Sequence, residues 1–305
     1  MTMNTIIKKS VFSACMMCCA IGAASCSGDE KADTPQGVPG PITIVPTIAG
    51  STTRTATEGI NTSFIAGDQL TVYAWTGNRD RVQEMVVDGV TNTLGSDGAW
   101  TSSPQMLWGD MVSRHYFMGI YPAHKITDLS ADEVTLMGNY DADDLLAGFN
   151  TTGLKATDMA TVGIVFDHLL ARLNVNLTFK SQWATTPEDI TATYTAVADA
   201  IVNYWEGTSQ PNGTAKVLPL SDATTTPGFQ YSLHGIIIPQ TGFRVITVNV
   251  EGKNYTYTHP GDIPLGKGMI TTVNLIIGRQ TIELGTLSID RWSDGGSFDG
   301  TGQRQ

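Results

Sequence analysis

From Leu173 to Phe179 the chain reads Leu173-Asn174-Val175-Asn176-Leu177-Thr178-Phe179, apolar and polar side chains in strict alternation. A period of two sends successive side chains to opposite faces of a strand, and one apolar face with one polar face marks an antiparallel sheet lying on a single core. Similar short runs occur at Ile42–Val45, Gln69–Trp75, Tyr116–Tyr121 and Val162–Phe166, with Leu70, Val72 and Ala74 on one face of the second. Later ones are Gly235–Ile238, Arg244–Val250, Tyr255–Thr258, Thr271–Ile277 and Thr286–Ile289. Turn formers separate them: Glu251-Gly252-Lys253-Asn254 reads as a hairpin, Asn212-Gly213 as a loop and Asn139–Thr152 as a turn-rich stretch. Helical periodicity is scarce; Phe166–Arg172 has room for one turn at most, and Pro187–Asp189 is expected to start another. Strands at this spacing with Gly- and Pro-rich connections predict an all-β fold of sandwiches. The length suits two domains, and the expected division near residue 160 gives 42–160 and 161–305.

All four cysteines, Cys15, Cys18, Cys19 and Cys26, lie in the first 26 residues. Lys8 and Lys9, the apolar run Val11–Ile21 and the small residues Gly22-Ala23-Ala24-Ser25 make residues 1–25 a secretory signal peptide. Cys26 directly after them resembles a bacterial lipobox, so it is the expected lipidation site; cleavage at the earlier cysteines would leave a stunted apolar region. Residues 26–41, polar and rich in Pro and Gly, read as a flexible lipid tether, and Asp29-Glu30 resembles a short surface-export signal of Bacteroidetes lipoproteins. An exported body with no cysteine pair must hold together by burial and sheet hydrogen bonds. Removing residues 1–25 takes away two lysines and no acids, so the net charge goes from −11 to −13. Such acidity excludes nucleic acid and a polybasic membrane contact as partners. No second apolar run approaches the ~20 residues that span a bilayer.

Chemistry is hard to find. His168 follows Asp167, but neighbours on an extended backbone point to opposite faces, so His168 is expected to be a structural residue at a strand end. His115, His124, His234 and His259 are dispersed, without metal-ligand spacing. Asp141-Ala142-Asp143-Asp144 and the stretch Asp290–Gly300 faintly resemble calcium loops but lack the alternating oxygen ligands, and read as solvated turns. Gly266-Lys267-Gly268 reads as a β-turn, since the phosphate-loop frame is missing. Six tryptophans raise the question of glycan stacking, although most aromatics of β proteins are packing residues. No catalytic, cofactor or metal residues are assigned, and the chain is not expected to be an enzyme.

Several blocks, in order, resemble the fimbrillin-like family of Bacteroidetes. They are Phe64-Ile65-Ala66-Gly67-Asp68 leading into Gln69–Tyr73, Trp108 with Tyr116–Pro122, and Asp143-Asp144-Leu145-Leu146-Ala147. Phe166-Asp167-His168-Leu169-Leu170-Ala171-Arg172-Leu173, Ile238-Pro239-Gln240 and Ile289-Asp290-Arg291-Trp292 complete the set. The resemblance implies two transthyretin-like antiparallel β-sandwich domains in tandem, forming a type V pilus subunit made as an outer-membrane lipoprotein precursor. It further implies proteolysis after an arginine near the first strand, and donor-strand exchange with other fimbrial subunits in a homo- or heteropolymer. In this chain the candidate cut lies between Arg54 and Thr55, in a polar, extended stretch. Ser293–Gln305 is too polar and glycine-rich to donate a strand, so Val273–Ile277 or Leu284–Ile289 would supply the apolar teeth. The rival reading is a lipid-anchored surface module that binds a glycan or host protein receptor and never polymerises.

Overall fold

Period-two patterning governs the whole structure, a computed structural model that describes residues 39–49, 63–158 and 161–292. Before residue 170 the strands are β1 (Thr43–Ile48), β2 (Gln69–Asn78), β3 (Arg81–Leu94), β4 (Trp100–Ser103), β5 (His115–Tyr121), β6 (Asp132–Thr135), β7 (Leu146–Leu154) and β8 (Thr161–His168). One helical turn, α1 (Tyr140–Asp143), precedes β7. Then follow β9 (Ala171–Phe179), β10 (Ile190–Val197), β11 (Asp199–Asn203), β12 (Thr208–Pro211) and β13 (Ala215–Asp222). The last five are β14 (Tyr231–Ile237), β15 (Val245–Val250), β16 (Lys253–Thr258), β17 (Met269–Ile277) and β18 (Ile282–Arg291).

They form two large curled sheets, ordered β1-β8-β7-β5-β2-β3-β4 and β16-β15-β10-β13-β14-β9-β17-β18, as expected of two β-sandwich-like domains. The chain leaves the first sheet after His168 and enters the second at Ala171, so only Leu169 and Leu170 lie between them. A small sheet, β12-β11-β6, joins strands from both halves. Pairing is antiparallel except for β1 with β8 and β9 with β17, which run parallel. Long connections permit those two exceptions to the antiparallel expectation.

Three apolar cores result. One fills the first sheet around Leu70, Val72, Phe117, Ile164 and Phe166, and one fills the second around Leu173, Val175, Tyr194, Val248 and Leu275. The third lies where the sheets meet and joins Tyr73 and Trp75 of β2 to Val202, Tyr204, Ile236, Ile270 and Trp292.

That third core corrects the simple picture of one wet face. β2 buries Leu70, Val72 and Ala74 on one side and Thr71, Tyr73 and Trp75 on the other. In β9 the polar positions are covered as well. Asn176 donates to Asn274 Oδ1 at 2.8 Å and accepts from Ser232 Oγ at 2.8 Å and Thr226 Oγ1 at 3.1 Å. Bonding of this kind removes the penalty for burying an amide. The expected helical turns are absent: residues 166–172 are the end of β8, a short connection and the start of β9, and Pro187–Asp189 leads into β10. There Ile190, Ala192, Tyr194 and Ala196 point inward at every second position, and period two prevails. Most of β7 falls within Asn139–Thr152, which is expected to be turn-rich. The Glu251-Gly252 hairpin stands as expected: both residues have positive φ, 50° and 81°, and Val250 faces Lys253, which is a two-residue type I′ turn.

Two positions yield predictions. Gly119 of β5 lies under the Phe166 ring, and a Cβ there would overlap the ring carbons. Gly119→Val should lower stability by about 1–3 kcal/mol, read by denaturant unfolding. His115 is buried, accepts from the Gly109 N–H through Nε2 at 3.1 Å, and places Nδ1 3.1 Å from the Ser113 carbonyl. Only the neutral ring satisfies both bonds, and burial lowers its pKa below the ordinary 6.5. The unfolded chain therefore takes up the proton more readily. The stabilisation is complete above pH 6.5 and declines as pH falls through the lower native value. Between pH 7 and 5 thermal stability should fall by at most about 1.4 kcal/mol per pH unit from this residue. That part of the slope should vanish in His115→Gln.

Candidate functional site: the seam beside β1

At the seam, a short alternating sequence produces an edge strand. In β1 the side chains of Ile44, Pro46 and Ile48 point inward while Thr43, Val45 and Thr47 point out, and Ile42 extends the inward row. Proline is tolerated because β1 is an edge strand, where a missing N–H costs little. Among the described residues its one strand neighbour is β8, with Thr43 facing Thr161 through to Ile48 facing Phe166. Just before β1 the chain is stitched across: Ile42 N–H donates to the Met106 carbonyl at 2.9 Å, and Trp108 N–H to that of Gly40 at 3.2 Å. From Thr43 onward no backbone bond among the described residues reaches the other edge.

A largely apolar groove of about 530 Å³ runs along that free edge. β1 forms one wall, Leu94, Gly98, Ala99 and Trp100 the opposite one, and Phe64 the floor. Phe64 packs edge-on to Trp100, Tyr121 and Phe166, with ring centres 5.4, 5.5 and 5.4 Å away. The Gly67-Asp68 turn places it there. Gly67 has φ +98°, Asp68 Oδ2 accepts from the Ile65 N–H at 2.8 Å, and Tyr121 donates to Asp68 Oδ1 at 3.2 Å. A second cavity of about 200 Å³ continues past Ile48 and Phe64 towards Leu146. The first sheet is thus a curled sheet with an open seam, and β1 is the strand beside the opening.

The residues expected to act on this region, Cys26, Arg54 and Thr55, lie outside the described residues. Of the two donor candidates, β17 has Val273, Leu275 and Ile277 fully buried between β9 and β18. By contrast β18 is an edge strand bonded, among the described residues, to β17 alone, with Ile282, Leu284 and Leu287 half-buried.

His168 stands at the end of β8, as expected, but its partner is a residue the sequence reading missed. Nδ1 lies 2.9 Å from Asp144 Oδ1, both side chains are buried, and Trp292 stacks on the imidazole at 3.7 Å. Asp167 is exposed on the opposite face. The solvated-turn reading of residues 141–144 is corrected too. Asp144 is fully buried, and Asp143 accepts backbone N–H bonds from Met137, Gly138 and Asn139 at 2.8–3.1 Å. Burial raises the Asp143 pKa, and those three N–H groups oppose the rise. Among the described residues no three His, Cys, Asp or Glu side chains gather as metal ligands. Trp75, Trp108, Trp183 and Trp292 are buried, while Trp100 and Trp205 are half-buried against Phe64 and Trp75, so the tryptophans are packing residues.

Known proteins share this architecture. A candidate cell adhesion protein from Bacteroides ovatus matches with a TM-score of 0.63 and 15% identity, over 85% of this chain and 99% of that one. Another from Bacteroides uniformis gives 0.60 and 20% identity, over 75% and 93%. At such identities the likeness establishes the fold. No curated protein matches the chain in sequence. A family model described as fimbrillin-like matches residues 53–292, from the segment before Phe64 to Trp292, and the chain belongs to that family.

Proposed function

We propose that this chain is a structural or adhesive subunit of a cell-surface fimbria, a type V pilus, and not an enzyme. On this reading it is exported, lipidated at Cys26, and cut between Arg54 and Thr55. Another subunit's strand then replaces β1. The supporting observation is β1 itself, bonded to one neighbour, open to a groove along its other edge, and lying N-terminal to the proposed cut. Burying Ile42, Ile44 and Ile48 contributes about 1.5–3 kcal/mol each, so a cut alone leaves the strand seated. Exchange then needs a competitor that brings its own row of apolar side chains and its own main-chain bonds. We assign that role to β18, because it is an edge strand whose Ile282, Leu284 and Leu287 are only half-buried against the second core, whereas β17 lies between two strands with Val273, Leu275 and Ile277 fully buried. Family membership supports association with other fimbrial subunits at the cell surface. Burial of His168 and Asp144 beneath Trp292 favours a structural pair over a catalytic one. The lipid-anchored receptor-binding module remains the second reading, favoured if β1 never leaves.

Limited digestion of the purified protein with an arginine-specific protease tests this. Wild type should lose the segment ending at Arg54 and form a ladder on an unboiled gel, while Arg54→Ala and a chain ending at Gly278 should stay monomeric. A cleaved wild type that remains a monomer would reject strand exchange and support the second reading. Ile44→Asp puts a carboxylate on a buried position and should lower the stability of the uncut protein by about 2–4 kcal/mol.

A further inference from the structure

β18 holds one residue more than its partner strand. β17 has nine residues and β18 ten. Pairing runs in step from Ile277 opposite Ile282 to Leu275 opposite Leu284, then resumes with Asn274 opposite Thr286. Gly285 faces no residue of β17, which makes a β-bulge inside an edge strand. The space is tight, since a Cβ on Gly285 would stand 3.2 Å from the Asn274 carbonyl oxygen. The bulge also changes the parity of the strand. Ile282, Leu284 and Leu287 all pack on the second core, although in an unbroken strand Leu284 and Leu287 would point to opposite faces. Thr286 accepts from Asn274 Nδ2 at 2.6 Å. Without Gly285 the strand would read Ile282-Glu283-Leu284-Thr286-Leu287-Ser288-Ile289-Asp290, in strict alternation, and every pairing with β17 would be kept.

The ladder with β17 therefore has no use for Gly285, and a glycine inside a strand weakens it. The other edge of β18 does have a use for it. Among the described residues no strand pairs with that edge. The turn before β18 is fastened to β16: Lys253 Nζ donates to the Arg279 carbonyl at 2.7 Å and the Tyr255 hydroxyl to the same oxygen at 3.0 Å. Those bonds fix the hairpin and pair none of the main-chain groups along the free edge. Such an edge invites a strand from another molecule, and charge, proline or a bulge ordinarily prevents it. From Leu284 to Ile289 there is no charged residue and no proline, and Ile289 is 43% exposed. Of the three safeguards only the bulge is present there.

We propose that the outer edge of β18 is a latent self-pairing surface, and that the Gly285 bulge shuts it against β18 of a second copy of this chain. An antiparallel pair about a two-fold axis normal to the sheet keeps like faces on one side, so the two apolar rows would run on as one and each contact would be made twice. The uncharged stretch Leu284–Ile289 lets two acidic copies meet there without opposing like charges. The bulge spoils the match by bending the edge and setting one residue out of line. None of this rests on strand exchange, because it concerns the uncut chain with β18 in place.

Sedimentation of the uncut full-length protein over a concentration series tests the proposal, with circular dichroism and thermal unfolding to confirm folding. Deletion of Gly285 should lower the dimerisation Kd at least about tenfold relative to wild type. Deletion of Thr286, which restores alternation while keeping the glycine, should do the same. Ser288→Lys added to either deletion should return wild-type behaviour, because like charges then face each other across the new pair. Folded deletion variants that associate no more than wild type would overturn the proposal. So would association that Ser288→Lys leaves unchanged, which places the contact elsewhere. Failure of both deletions to fold would also overturn it, since the ladder would then require the bulge.

Discussion

The first domain depends on one strand being held from one side. β1 is six residues long, takes its strand pairing among the described residues from β8 alone, and adds its inward side chains to the core around Phe166. A closed barrel would have bonded its other edge and left no groove. An isolated edge strand of this kind is ordinarily a hazard, since its unpaired N–H and C=O groups invite pairing with another chain. Here the exposed row, Thr43, Val45 and Thr47, is short and partly polar, and the opening is flanked by Trp100 and floored by Phe64. On the proposed reading the strand is stable in place until another subunit's strand replaces it.

The second sheet and the junction supply what the first domain lacks. Trp75, Tyr204, Ile236 and Trp292 bury surface from both halves, and β6 pairs with β11 across them. The His168–Asp144 pair lies at this junction, with its ring covered by Trp292 immediately after β18. On the proposed assembly reading, departure of β18 would uncover that stack, so the end of β18 and the end of β8 are mechanically linked.

Much of this was legible in the residues. Alternation identified β2, β5, β8, β9, β15, β16 and β17, and the Glu251-Gly252 turn was recognisable from a glycine set between two alternating runs, although Glu251 itself takes a positive φ that such a side chain rarely adopts. Pro46 misled, since proline normally ends a strand, and β1 runs on through it to Ile48. β3 was missed because its face is mostly exposed from Arg81 to Met85 and shows no apolar rhythm. The burial of Asn176, Thr71 and Asp144 was not legible either, because a polar residue satisfied by distant partners looks in sequence like a solvated one. For the candidate site, the Phe64–Asp68 block could be read as a motif, but its purpose, turning Phe64 under the seam, needed the contacts with Trp100, Tyr121 and Phe166.

The central claim is that β1 is a temporary occupant of its slot. Mass spectrometry of the N-terminus of protein sheared from the surface of producing cells tests it most directly. The account predicts chains that begin at Thr55, with the segment carrying Cys26 and β1 absent from the assembled material. Assembled chains that still begin at a lipidated Cys26 would contradict it.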